Sequence, residues 1–155
     1  ALPPPTAPPV RAVPLVTLPT SAVGAATVRR LAVAERQLRE VAAALRSLHP
    51  DAAAELERAG VEAVPTLHAQ AERLAVLHRL SLGPAGPAAD AAKAAAAEVA
   101  ARLARGVDAC ELLLAAAATT LGSPDLARSA EDVIGPAVDG LLAYAHGLST
   151  AAERP

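Results

Sequence analysis

An all-α chain is predicted: four or five helices in a mostly antiparallel bundle, preceded by an extended proline-rich arm. Three observations carry this. Between Pro87 and Leu121, the residues Val99, Leu103, Val107, Cys110, Leu114, Ala117 and Leu121 recur at steps of three and four, which is one stripe of an α-helix. The same stretch is dense in alanine, the best helix former. Gly and Pro gather at a few places, Gly83-Pro84-Ala85-Gly86-Pro87 above all, and cut the chain into rods. A helix over residues 87–121 is about 50 Å long, so its partners must be long or several short ones must tile it. Residues 1–19 are then the arm, 20–150 the bundle and 151–155 a tail.

The arm contains Pro3, Pro4, Pro5, Pro8, Pro9, Pro14 and Pro19, which exclude a helix or sheet interior and favour polyproline II. Its apolar residues Val13, Leu15, Val16 and Leu18 predict that it lies along the bundle or along a partner. The string Pro5-Thr6-Ala7-Pro8 resembles the late-domain tetrapeptide that recruits membrane-scission machinery, a match that a chain this rich in Pro and Ala supplies by chance. A proline-rich docking segment is the more general expectation.

The first helix is expected to start at Thr20 or Ser21, both able to cap, and to run to Leu48. Val28, Leu31, Leu38, Val41, Leu45 and Leu48 make its apolar stripe, with Arg29, Arg30, Glu35, Arg36 and Arg39 on the other face. The stripe suits packing inside one bundle, and its heptad spacing also suits a coiled-coil partner. His49-Pro50 ends it. Asp51 is expected to cap a short helix from Ala52 to Ala59 that Gly60 terminates. A break over 61–65 follows, and then a helix from Thr66, as cap, to Leu82, with Leu67, Ala71, Leu74, Leu77 and Leu80 available for burial.

The long helix opens at Gly86-Pro87, where proline's fixed φ and missing N–H suit a first turn, and closes at Gly122. Leu112 and Leu113 are expected to widen its apolar face. Ser123-Pro124-Asp125 reads as N-cap, first helical position and first-turn acid. From there Leu126, Ala130, Val133, Ala137, Leu141, Tyr144 and Leu148 form a stripe that Ile134, Val138 and Leu142 broaden. Gly135-Pro136 should kink or split that helix, and the chain should fray from Ser149.

Composition excludes several functions. The chain has 53% hydrophobic residues but no Phe, Trp or Met and one Tyr, so Ala, Leu and Val must build the core through close helix approach. A G+C-rich coding sequence favours the same residues, and also explains one lysine, Lys93, among fourteen basic side chains. A net charge of -2 gives no basic face to displace counterions from phosphates, and no aromatic platform exists for bases, so nucleic acid is not an expected partner. The single Cys110 sits on an apolar stripe as a small hydrophobe and cannot form an internal disulfide. The longest uncharged stretch, 12–28, is interrupted by Pro14, Pro19 and Gly24, so no transmembrane segment is expected. The chain opens at Ala1 rather than Met, which predicts removal of something upstream. The expected compartment is the cytoplasm, with export or an organelle after processing as the alternative.

Chemistry-bearing residues are sparse. His68 and Glu72 stand one turn apart, a spacing that can put two ligands on one metal, but no second His-Glu pair accompanies them and a solvated face is the simpler reading. No metal and no cofactor are expected. His78 is expected to be partly buried, His49 belongs to a turn and His146 to a helix end. No nucleophile elbow, Cys-His arrangement or phosphate loop is present, and Glu131-Asp132 are adjacent and so face different ways. The expected function is a non-enzymatic interaction or assembly module, a scaffold or adaptor, that presents helix faces and the arm to another protein or to its own copy. The residues expected to carry contact are Pro3, Pro4, Pro5, Pro8, Leu15, Leu18, Leu31, Leu38 and Leu45. The alternatives are a small-ligand or metal-binding helical bundle and an accessory subunit of an enzyme complex.

Overall fold

A computed structural model describes residues 18–153, which are all-α with no strand among them. The elements are α1 (Ala25–Arg46), α2 (Pro50–Ser81), α3 (Pro87–Leu121), the single turn α4 (Leu126–Ser129), a π-helical turn (Ala130–Ile134) and α5 (Gly135–Ala152). The proline-rich stretch expected as an arm lies outside the described residues except for Leu18 and Pro19.

The first helix starts later than its hydroxyl residues predict. Residues 19–24 form turns instead, with the Ala22 N–H donating to the Pro19 carbonyl at 2.9 Å and Ala25 to Ala22 at 3.1 Å. Gly24 supplies the left-handed conformation, φ 81°, that turns the chain into α1. A side chain at Gly24 would also overlap Leu74 of α2, so the position admits only glycine on both counts. At the other end Ser47 caps α1, which leaves Leu48 outside the helix and 56% exposed.

The second correction is larger. The short helix, the break over 61–65 and the restart at Thr66 are a single helix, α2, that runs through Gly60 and Pro65. Its N-cap is His49, whose Nδ1 accepts the Ala52 N–H at 3.0 Å, while Asp51 sits in the first turn and Thr66 caps nothing. A mid-helix Gly costs about 1 kcal/mol and a Pro about 3 kcal/mol relative to alanine. Burial offsets both: Leu56, Ala59, Ala63 and Leu67 are completely enclosed on one face, while Pro65 is on the exposed side. The carbonyl that Pro65 leaves unbonded belongs to Val61, a residue 76% exposed, where water can take it.

The long helix α3 forms as expected, but its buried stripe drifts. Val99, Leu103, Val107, Cys110, Leu113, Ala117 and Thr120 form one buried line with a mean step of 3.5 residues, inside a wider buried face that also holds Ala89, Ala92, Ala96, Ala100, Gly106 and Ala116. Leu114 is half-buried, Leu121 is exposed and Leu112 is 68% exposed. A 3.5-residue step is the spacing of helices that coil around one another, and it falls behind a 3.6-residue extrapolation by about 40° over two heptads.

Asp125, not Ser123, caps the next helix, accepting the Arg128 N–H at 3.1 Å. Ser123 instead braces the turn by donating to the Asp125 carbonyl and accepting its N–H. The expected irregularity at Gly135-Pro136 takes the form of the π-helical turn directly before it. The wider turn moves carbonyls off the proline ring, which would clash with a carbonyl four residues back. α5 then continues to Ala152, past the expected fraying at Ser149.

α2 and α3 pack along each other; α1 touches both, α5 touches both, and α1 does not touch α5. Along α1 and α2 the numbering runs in opposite senses, since Glu35 meets His68 and Arg46 meets Glu57. Leucines at 31, 45, 56, 67, 74, 103, 113 and 141 are fully buried, with alanines between them. At Gly106 neighbouring side chains leave no room for a Cβ: a methyl group there would overlap Leu67 and press on Tyr144. Tyr144, the one aromatic side chain, seals that contact by donating its hydroxyl hydrogen to the Arg102 carbonyl. On the outer surface Arg30 of α1 reaches Asp108 and Glu111 of α3 at 2.6 Å each, and those carboxylates raise its already high pKa.

Candidate interaction groove

A groove of about 920 Å³ lies between α1 and α2. Its floor is apolar: Leu38 and Ala42 from α1, Leu56 and Val64 from α2. At Gly60 the wall of α2 is bare backbone, with nothing within 4 Å of where a Cβ would stand. Val61 and Pro65 form an apolar outer edge. Arg36 and Arg39 line the α1 side, and Glu57 and Glu72 the α2 side.

The helical period explains this arrangement. Positions 57, 61, 64, 68 and 72 fall on one side of α2, next to the core stripe, so mixed apolar and charged residues share the flank that faces α1. One bridge spans the groove: His68 Nε2 lies 2.9 Å from Glu35 Oε2, and the other Glu35 oxygen accepts from Arg39 at 3.0 Å. Arg46 and Glu57 close the far end as a second cross-helix pair. Both pairs are half-exposed, so they orient the two helices more than they stabilise them, at about 0–1 kcal/mol each.

The residues singled out in the sequence are distributed unevenly about this groove. His68 and Glu72 both line it, but the group His68 bonds is Glu35 on the neighbouring helix. Among the described residues no group of three or more His, Cys, Asp or Glu is placed to hold a metal ion. Leu31 and Leu45 are enclosed in the chain's own core, and Leu38 is 5% exposed at the groove floor, so the α1 stripe is used inside the fold and not offered to a coiled-coil partner. Leu18 packs against the core. Pro3, Pro4, Pro5, Pro8 and Leu15 lie outside the described residues.

His49 is spent on the α2 cap, His78 is half-buried, and His146 stands 3.8 Å from Glu62 at the surface. Cys110 is fully buried, and burial, with a smaller push from Glu111, raises its thiol from 9.0 to about 11. A thiol so held is a packing group and not a nucleophile. Glu35 is legible in the sequence only as a polar-face residue of α1, and Val61 and Val64 are groove residues that reading the sequence did not single out. Once α2 is continuous, the helical spacing of Val61 and Val64 places them on the flank with His68.

No helix among the described residues is long and apolar enough to cross a membrane. No curated protein and no solved structure matches the chain. A family model does match, over residues 1–150, which is nearly the whole length; the chain belongs to the Rv2743c family.

Proposed function

We propose that this chain is a non-enzymatic interaction module, an antiparallel helical bundle whose α1–α2 groove receives a segment of another protein. The observation that carries the reading is the groove itself: above a floor of buried side chains, Leu38, Ala42, Leu56 and Val64, an apolar edge is accessible at Val61, 76% exposed, and Pro65, flanked by charges of both signs. Apolar centres with polar rims are the anatomy of protein–protein contacts. The groove's charged groups support the same reading, because Glu35, Arg39 and His68 bond one another across and along the helices and so brace the groove walls.

The test is a comparison of two surface variants in co-purification from the native extract. Val61→Asp places a charge at the groove edge, and Leu112→Asp places one on the exposed face of α3. Both sites are exposed, so both variants should fold, with stability changed by roughly 0.5 kcal/mol or less. Proteins that co-purify with the parent chain should be lost with Val61→Asp and kept with Leu112→Asp. An identical set from both variants would overturn the groove as the contact surface.

A further inference from the structure

We propose that the groove's partner is a second copy of this chain, docked about a two-fold axis that runs along the groove, so that α1 of each molecule lies over α2 of the other. The proposal rests on the reading of the groove as a docking surface and names what docks there. α2 is packed by α1, α3 and α5 and keeps one open side. That side carries a line of apolar side chains: Val61 is 76% exposed, Val76 46% and Leu80 56%, with Pro65 and Ala69 exposed between them. Steps of four and eleven residues hold Val61, Pro65, Val76 and Leu80 on it. The outer side of α1 is smooth, because Ala32 and Ala43 stand exposed there beside Arg29 and Arg36.

Charge selects the axis. Arg29 and Arg36 on α1, and Glu72 on α2, have no ion-pair partner among the described residues. The Glu35–His68 and Arg46–Glu57 bridges fix how the two helices are levelled: position 29 of α1 stands level with position 74 of α2, and position 36 with position 67. A two-fold axis along the groove keeps those levels and exchanges the helices. Arg29 and Arg36 of one molecule then arrive about 3 Å and 8 Å along the helix from Glu72 of the other, within an arginine's reach. Val23, itself 56% exposed, arrives level with Leu80. An axis across the groove instead lays each helix on its own twin, which sets the arginines of α1 against one another. The face is also large enough. α1 has 22 residues, about 33 Å, and two helices side by side are about 20 Å wide, so two copies cover roughly 1,300 Å² together, within the range of specific interfaces. The contact is the same from both sides and closes on itself as a dimer.

The test is sedimentation equilibrium of the full chain at several concentrations, with circular dichroism as the check on folding. The parent chain and Leu112→Asp should sediment as dimers at high concentration, and Val61→Asp as a monomer. Arg36→Glu and Glu72→Arg should each weaken association about tenfold or more, because every substitution enters two symmetry-related contacts. Two recoveries are expected. The double variant, Arg36→Glu with Glu72→Arg, should regain the parent's association, and an equal mixture of the two single variants should form a mixed dimer. An axis across the groove gives no recovery in the double variant, since it sets each position 36 against its twin. A parent chain that stays monomeric, equal losses from Val61→Asp and Leu112→Asp, or a double variant no better than the singles would overturn the proposal. If the parent is monomeric while its extract partners are still lost with Val61→Asp, the groove stands as a docking surface and the second copy falls as its occupant.

Discussion

Cys110 shows how much a single buried atom can reveal about this core. Its thiol titrates at 9.0 in an open chain and is pushed up to about 11 in the fold, because burial disfavours the thiolate and Glu111 adds its negative charge. Between those values the unfolded chain releases the proton and the folded chain keeps it. Raising the pH from about 9 to 11 therefore favours unfolding, by roughly 2–3 kcal/mol from this group alone. Urea titrations at pH 8 and pH 10.5 should show a larger loss of stability for the parent than for Cys110→Ala, and equal losses would mean that the thiol is solvated. The glycines teach the complementary lesson. Gly24 and Gly106 sit where neighbouring side chains leave no room for a methyl group, whereas Gly60 faces open groove, so the residue type alone does not disclose which glycine the packing requires.

At the level of single elements, periodicity is most informative where the helix is longest and least so at its ends. The α1 stripe identifies Leu31, Leu38 and Leu45 as apolar-face residues, and all three are buried in the chain's own core. Leu48 continues the same spacing but falls beyond the Ser47 cap. Leu45→Ala should cost about 2–4 kcal/mol, and Leu48→Ala within about 0.5 kcal/mol, read as shifts in the urea midpoint. Comparable losses would show that α1 extends through Leu48. In α2 the local signals are strong and misleading. Asp51, Gly60, Pro65 and Thr66 each carry stop or start chemistry, yet one helix runs from Pro50 to Ser81. Enclosing Leu56, Ala59, Ala63 and Leu67 against neighbouring helices outweighs the roughly 4 kcal/mol of helix propensity that Gly60 and Pro65 forfeit.

Across the whole molecule the α2–α3 pair is the spine on which α1 and α5 lean without touching each other. α4 buries none of its residues, and the π-helical turn after it encloses only Ala130 and Ile134. Opening free energies should follow that distribution. Amide hydrogen exchange should be slowest around Leu67 and Leu103 and fastest, among the helical residues, from Leu126 to Ser129. Protection in α4 equal to that of α3 would contradict this order. The same asymmetry places the groove on the spine: α2 forms one wall from Leu56 to Glu72, and α1 supplies the other. A segment docked there would rest on the slowest-exchanging helix.

What the sequence alone determined is the helical character of the chain, the long rod from Pro87 to Leu121, the use of Ala, Leu and Val as core material, and the lack of any motif for catalysis. These depend on local propensity and on the 3.6-residue period, which operate over a few turns and need no knowledge of the neighbours. Tertiary structure alone decided the continuity of α2, the pairing of His68 with Glu35 rather than Glu72, and the groove at which Val61 and Val64 face α1. Each of these depends on residues more than twenty positions apart meeting across a helix contact, where burial and close packing outweigh local chemistry that points the other way.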